Sequence, residues 1–238
     1  MSAAIELSVV IPIYNEAAIV ADSVAGLLDR LPPVCADFEI LLAENGSTDR
    51  TPEVVADLCA RHPQVRALHV PEPNYGRALK QGILAARGRL VLCDEIDLID
   101  LDFYRSALGL LRAGHADMVV GSKLAPGARD DRPWVRHQAT RVLNLLLRAS
   151  LGFTGTDTHG LKAFVRRRLL PVVEACTVEQ NLFASELVIR AERAGVRVVE
   201  VPLWVREKRA PSINLLRRVP AALGNLGRLV WAIRLRRG

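Results

Sequence analysis

The chain has 238 residues, half of them hydrophobic and 24% charged, with a formal net charge of +6. That is the composition of a globular chain long enough to bury a substantial core. No apolar stretch approaches the roughly 20 residues needed to span a bilayer, and a strand pattern begins almost at residue 1, so neither a membrane-crossing segment nor a signal peptide is expected. The four cysteines, at 35, 59, 93 and 176, lack metal-type spacing and read as reduced core or near-core thiols of a cytosolic protein.

Strand and helix patterns alternate through the first half. Residues 7–13 form a continuous apolar strand, and 17–31 a helix closed by Pro32-Pro33. A second strand, 38–43, leads into the turn-rich 44–50. Thr51 is placed to cap the next helix, with Pro52 at its first turn and its end near His62. Strand 65–70, helix 75–87 and strand 90–93 follow, then a helix capped by Asp100 or Asp102 and ended by Gly114, and a fifth strand at 117–120. Such alternation with short loops predicts right-handed βαβ units and a mainly parallel sheet flanked by helices, an α/β fold.

The second half is more helical. Residues 121–133 read as a loop, 134–151 as a long helix, 152–160 as another loop, then helices at 166–175 and 182–194 and a strand at 196–203. No repeat or low-complexity linker divides the chain. It is read as one domain, 1–212, plus a basic amphipathic helix or tail, 213–238. Residues 206–238 hold nine Lys/Arg and one acid, a net +8, which leaves the preceding 205 residues at −2. Leu216, Val219, Leu223, Leu226, Val230 and Ile233 recur three or four apart as one helical stripe, accompanied by arginines and Trp231. Two readings stand side by side: a helix lying on an anionic membrane surface, or a stripe packed on the protein's own core with solvated arginines. Few aromatics accompany the basic residues and no nucleic-acid module is present, so nucleic acid is not an expected partner.

The chemistry gathers at strand ends. The apolar run 90–93 stops at three carboxylates in four residues, Asp94, Glu95 and Asp97. Carboxylates this close repel unless a cation or protons intervene, and oxygen-only ligands favour Mg²⁺ or Mn²⁺. The plain alternative is a solvated helix N-terminus, where acids are also favoured. The first strand ends in Pro12-Ile13-Tyr14-Asn15-Glu16, the second in Glu44-Asn45-Gly46-Ser47-Thr48-Asp49, and the third precedes Asn74-Tyr75-Gly76-Arg77-Ala78-Leu79-Lys80. Ligands bind at the C-terminal edge of open α/β sheets, so these clusters are expected to line one crevice.

In that order the motifs resemble the inverting nucleotide-sugar glycosyltransferases of GT-A fold (Rossmann-like, nucleotide-diphospho-sugar transferase), in particular the dolichyl- and polyprenyl-phosphate mannosyl- and glucosyltransferases. That family shows Pro-x-Tyr-Asn-Glu, then Asp-Asp-Gly-Ser-Thr-Asp, then a metal-binding Asp-x-Asp. Further on, Gly121-Ser122-Lys123 resembles its Gly-Ser-Arg. Arg136, Thr140 and Asn144, four apart on one helix, resemble its Arg-x-x-x-Ser-x-x-x-Asn. Asp157-Thr158-His159-Gly160-Leu161-Lys162 resembles Asp-x-Thr-Gly-x-Phe-Arg with one residue fewer, and Glu186, Gly195 and Glu200-Val201-Pro202 match the family's ending. The chain departs from the pattern at four places. Asn45 replaces the second acid of the first loop, Glu95 replaces the first acid of Asp-x-Asp, Ile99 stands where a polar residue is common, and Ser212-Ile213 replaces a Ser-Lys.

The resemblance implies sugar transfer from a GDP- or UDP-sugar with inversion, aided by Mg²⁺ or Mn²⁺ on Glu95 and Asp97. Pro12, Tyr14, Glu16 and Asn45 would line the nucleoside pocket, with Glu44, Lys80, Asp94 and Glu95 also on the donor side. The implied acceptor is a polyprenyl phosphate at the cytoplasmic membrane face, its phosphate met by Lys123, Arg136 and Thr140. A saccharide or small soluble acceptor would instead need a base, for which Asp157 and Glu186 are the candidates. A non-catalytic nucleotide-sugar-binding protein is the third reading, given the altered acids.

Overall fold

The computed structural model describes residues 5–131, 134–179, 182–205 and 219–234, with the side chains at 130, 135, 136, 205 and 219–223 outside the described ones. Seven strands form one sheet in the order β3-β2-β1-β4-β7-β5-β8. They are β1 Leu7–Ile13, β2 Phe38–Glu44, β3 Val65–His69, β4 Leu90–Cys93, β5 Met118–Ser122, β7 Lys162–Val165 and β8 Val198–Pro202. A parallel ribbon of two residues each, β6 Arg129–Asp130 and β9 Trp204–Val205, stands apart.

β1, β2, β4 and β5 are buried along their whole lengths, which is why they read as unbroken apolar runs. Both faces of the sheet are covered. Leu7, Val9, Ile11 and Ile13 point into one core with residues of α1 (Val20–Arg30), α2 (Thr51–Arg61) and α4 (Leu101–Arg112). Val10 and Leu41 point into the other, with residues of α3 (Tyr75–Ala85), α5 (Trp134–Leu151), α6 (Arg166–Ala175), α7 (Phe183–Arg193) and α8 (Val219–Arg234). Pro12 has no N–H to donate, yet it sits in central β1. It lies beyond the last β1–β4 pair, Val10 with Cys93, where that ladder has already ended.

Beyond the short β6–β9 ribbon, which falls where no strand was expected, two local features differ from expectation. No element was expected at 162–165, yet β7 enters antiparallel between β4 and β5, pairing Cys93 with Lys162 on one side and Val120 with Lys162 on the other. Its four residues are too few to show a strand period. Thr51, expected as a helix cap, is instead the first residue of α2; its hydroxyl accepts from Glu16 N–H at 2.8 Å and donates to Asp49 at 2.5 Å. A tertiary contact has taken the group a local cap would have used.

α8 answers the question left open about the C-terminal stripe. Leu229, Ala232 and Ile233 are buried against α5 and α7, and Arg190 and Arg193 of α7 donate to the Ala232 and Ile233 carbonyls. The described part of the stripe, Leu226, Val230 and Ile233, packs on the core, while the side chains of Val219 and Leu223 lie outside the described ones. Leu216 and Ser212-Ile213 lie outside the described residues. Leu229 is fully buried, so Leu229→Ala is expected to cost about 3 kcal/mol in urea unfolding, the usual cost of a cavity at a core leucine. Among the described residues no helix is long and apolar enough to cross a membrane.

Candidate active site

β1, β2, β3 and β4 run parallel and side by side, so the polar clusters after them meet along one edge. The first wall is a lock between two loops. Asn15 takes a left-handed φ of 55°, which Asn tolerates, and its side-chain oxygen accepts from Thr48 N–H at 2.8 Å. Gly46, at φ 67°, brings the chain so close to Pro71 that a Cβ would sit 2.7 Å from its carbonyl oxygen. Glu44 is buried, accepting from Ser47 N–H at 2.6 Å and pairing with His69. Burial pushes its carboxyl up, but the Ser47 hydrogen bonds and His69 outweigh that and hold it below the usual range. Asn45 is also buried, its side-chain oxygen accepting from Asn74 N–H at 2.6 Å, while Asn74 caps α3.

Glu44, Asn45 and Pro12, all buried, therefore form the framework of this wall. Tyr14 is 43% exposed at the mouth, and Glu16 follows at the start of the turn into α1.

The acid loop divides by depth. Asp94 is buried, with Tyr104 Oη donating to it at 2.5 Å and Glu95 N–H at 2.6 Å. Burial drives its pKa up to about 7 despite those donors. Both oxygens face protein, and the Tyr104 bond braces β4 against α4. Glu95 is exposed and Asp97 half-buried, so the frame Glu95-x-Asp97 is the part of the loop open to a ligand. Ile99 holds φ at 35°, a costly state for a β-branched residue, and Asp100 then caps α4 by accepting from the N–H groups of Asp102 and Phe103. Tyr75, at the start of α3, senses the Glu95 charge and is pushed well above its usual pKa, chiefly by burial.

The sign of the Asp94 effect is open to test. A carboxyl whose folded pKa lies above its unfolded value binds its proton more tightly in the native state, so stability falls as pH rises from about 4 to 7. Asp94→Asn keeps an acceptor for Glu95 N–H and an amide that the rotatable Tyr104 hydroxyl can accept from. It is expected to melt higher than the parent at pH 8, with the difference shrinking towards pH 5, in thermal unfolding followed across that range.

On the far side of β4, the antiparallel β7 brings its first residue to the same edge. Asp157 is fully buried and forms an ion pair with Lys123 at 3.1 Å, while His159 N–H donates to it at 2.8 Å. Burial raises its pKa, but the Lys123 cation and the His159 donor prevail, leaving it below the usual range. The loop carrying it is fastened by Glu200 of β8, which accepts from Thr156 N–H at 2.6 Å, and by Asn144 of α5, which donates to the Thr156 carbonyl at 2.6 Å.

Lys162, the last residue of the Asp157–Lys162 motif, is buried at this edge and donates to the Gly160 carbonyl at 2.7 Å. Burial lowers its pKa to about 8, against the pull of Asp157 and Glu95. A lysine where the family pattern has arginine was the available signal. Asp157 and Lys162 are thus buried charges, with Asp157 paired to Lys123.

Lys80 and Glu186 are both engaged by protein groups. Lys80 donates to the carbonyls of Cys176 at 2.6 Å and Glu174 at 3.3 Å, capping the C-terminal end of α6. Glu186 is fully buried and accepts from Thr177 N–H at 2.9 Å, Val178 N–H at 2.6 Å and Arg190 at 2.8 Å, so it organises the loop before α7. Its lone pairs are taken, and it is not placed to act as a base. Thr140 is half-buried on α5; Arg136 lies one turn earlier on the same helix, its side chain outside the described ones.

No group of three or more His, Cys, Asp or Glu residues able to hold a metal occurs among the described residues. Two carboxylates from one loop nevertheless suit Mg²⁺ or Mn²⁺, which commonly take one or two protein carboxylates and complete the shell with substrate phosphates and water.

Comparison with known proteins agrees with this geometry. The profile described as Glycosyl transferase family 2 matches residues 8–173. Glycosyltransferase AglD of Haloferax volcanii is 31% identical over 99% of this chain, which spans only 38% of that protein's length. Dolichyl-phosphate hexose transferase of the same organism is 30% identical over 85% of this chain and 84% of its own. Among solved structures, glucosyl-3-phosphoglycerate synthase from Mycobacterium tuberculosis, in complex with Mn²⁺, UDP-glucose and phosphoglyceric acid, superposes with a TM-score of 0.65 at 26% identity, covering 93% of this chain and 80% of that one. With the parallel sheet, the strand-end clusters and the acid loop in place, the chain belongs to glycosyltransferase family 2, and it is a glycosyltransferase of GT-A architecture.

Proposed function

We propose that this glycosyltransferase moves a sugar from a GDP- or UDP-sugar, with inversion, to a polyprenyl phosphate presented at the cytoplasmic face of a membrane. The observation that carries the acceptor class is the state of the two carboxylates a hydroxyl acceptor would need as base. Asp157 is paired with Lys123, and Glu186 is saturated by backbone and arginine donors. A phosphate acceptor needs neither, because its oxygen is already mostly ionised at neutral pH. What it needs is positioning and charge screening. Arg136 and Thr140 occupy successive turns of α5, and Lys123 would meet the phosphate only by exchanging its Asp157 partner.

On the donor side, the locked loops after β1 and β2 shape the nucleoside pocket, with Tyr14 at its mouth. Glu95 and Asp97 would hold Mg²⁺ or Mn²⁺, which when bound supplies Lewis-acid neutralisation of the diphosphate. Lys162, buried at the C-terminal end of β4 where it pairs with Cys93, adds a positive charge near the same edge. The similarity to a dolichyl-phosphate hexose transferase over most of both chains supports a lipid-phosphate acceptor.

A second reading is favoured by the solved neighbour, which binds phosphoglyceric acid: the acceptor is a small soluble phosphorylated acid. One experiment separates them. Donors including GDP-mannose and UDP-glucose are titrated by calorimetry with Mn²⁺, and the best is then offered to short-chain polyprenyl phosphate, phosphoglyceric acid and free sugars. A glycosylated lipid phosphate is the expected product. Product with phosphoglyceric acid alone establishes the second reading, and no product with any acceptor defeats both.

A further inference from the structure

α5 has two unlike sides. Leu143 packs against the core, and Asn144, Leu147 and Leu151 are buried; Thr140, one turn before Asn144, is half-buried. On the opposite side Trp134 is 71% exposed, Val142 56% and Leu145 65%. These three fall on one face, since Trp134 and Leu145 are about three helical turns apart and Val142 lies one turn short of Leu145. Seven large hydrophobic side chains are exposed among the described residues, and this single face holds three of them. Arg141 is exposed beside Val142, and Arg148 lies one turn beyond Leu145. The helix contains three arginines and no acidic residue in its 18 positions.

An exposed tryptophan with aliphatic neighbours, edged by arginine and free of carboxylates along the helix, has the composition of an interfacial helix on anionic lipid. Tryptophan prefers the level where an apolar body meets a wet boundary. The uncompensated positive charge of residues 206–238 adds to the attraction.

We propose that the outer face of α5, through Trp134, Val142 and Leu145 with Arg141, docks the protein on an anionic bilayer surface. This moves membrane attachment from the C-terminal helix, whose buried side is spent on the core, to the helix that also carries Thr140 and Arg136. Docking rests on the lipid-phosphate reading for its purpose: with α5 in the headgroup layer, the crevice behind it is held at the height of a lipid phosphate.

The test uses the 238-residue chain, sedimented with vesicles of phosphatidylcholine with and without phosphatidylglycerol. Two variants are compared, Trp134→Ala with Leu145→Glu together, and Arg141→Gln alone. The parent is expected to partition onto the anionic vesicles. The double variant should lose at least about tenfold in partition, the scale of one large apolar anchor. Arg141→Gln should lose several-fold, more at low salt than at high salt. Because these side chains are exposed, the melting temperature and UDP affinity should stay as in the parent, which guards against a folding artefact.

Absent partition of the parent, or equal partition of parent and double variant, overturns the proposal. So does a change in oligomeric mass of the double variant without lipid, which would assign the face to a second copy of the chain. Transfer to a short-chain polyprenyl phosphate in detergent-free solution, measured on the same samples, separates the two ideas. Transfer retained with unchanged partition defeats the docking alone. Partition lost as expected, but no transfer to any lipid phosphate, defeats the acceptor assignment alone.

Discussion

Asp97→Ala is expected to reduce sugar transfer roughly a thousandfold while leaving the fold intact. A cation neutralising a leaving diphosphate supplies several kcal/mol to the transition state, and about 4 kcal/mol corresponds to that factor in rate. Asp97 is half-buried in a loop and is not part of either core, so its removal should leave the melting temperature close to the parent's. Mn²⁺ affinity in the presence of UDP, read by calorimetry, should fall in parallel with turnover. Glu95→Asp restores the family's two-aspartate frame and is expected to stay active. Asp94→Asn should also stay active, because Asp94 faces Tyr104 rather than the crevice. Near-parental turnover in Asp97→Ala would refute the assignment of the metal to this pair.

Gly160→Ala is the second large effect, and it acts on structure. A Cβ at this position would lie 1.6 Å from the Gly121 carbonyl oxygen and 2.7 Å from its carbon. Both partners are backbone, so no side chain can rotate away. The two segments are tied together where Gly121 N–H donates to the Leu161 carbonyl at 2.8 Å, next to the pairing of Val120 with Lys162. Separating them breaks the β5–β7 ladder and displaces Asp157, Lys123 and Lys162. The expected cost is more than about 4 kcal/mol, at the extreme of single substitutions. Urea unfolding should show a large fall in midpoint or no cooperative transition. Gly109→Ala is the contrast: it lies inside α4 with nothing within 4 Å of its new Cβ, and should gain about 0.5–1 kcal/mol from helix propensity.

The parallel half of the sheet was legible because its strands are buried on both faces. Leu7–Ile13 and Leu90–Cys93 appear in the structure with the expected bounds, as does the long helix Trp134–Leu151. The crevice was legible for a related reason: in a parallel sheet every strand delivers its next residues to the same edge. β7 was not legible, because four residues after a loop carry too short a pattern, and only their neighbours β4 and β5 make them a strand. The individual site residues were harder still. Asp94, Glu95 and Asp97 look equivalent in sequence, yet the first is buried against Tyr104, the second exposed and the third half-buried. Lys80 and Glu186 carry the charge suited to a site but spend it on helix ends and a loop.

By itself the amino-acid sequence determined the α/β architecture, the edge at which the polar clusters meet and the family to which the chain belongs. Those follow from hydrophobic periodicity and from motifs that are local in the chain. Only the tertiary structure decided which charges face the crevice, that Lys162 is buried at its edge, and that α8 turns Leu226, Val230 and Ile233 to the core while α5 turns an apolar face outward. Burial and hydrogen bonding between distant segments set those outcomes: an ionisable group is available for chemistry only if no folded neighbour has already satisfied it, and that neighbour is chosen by the fold.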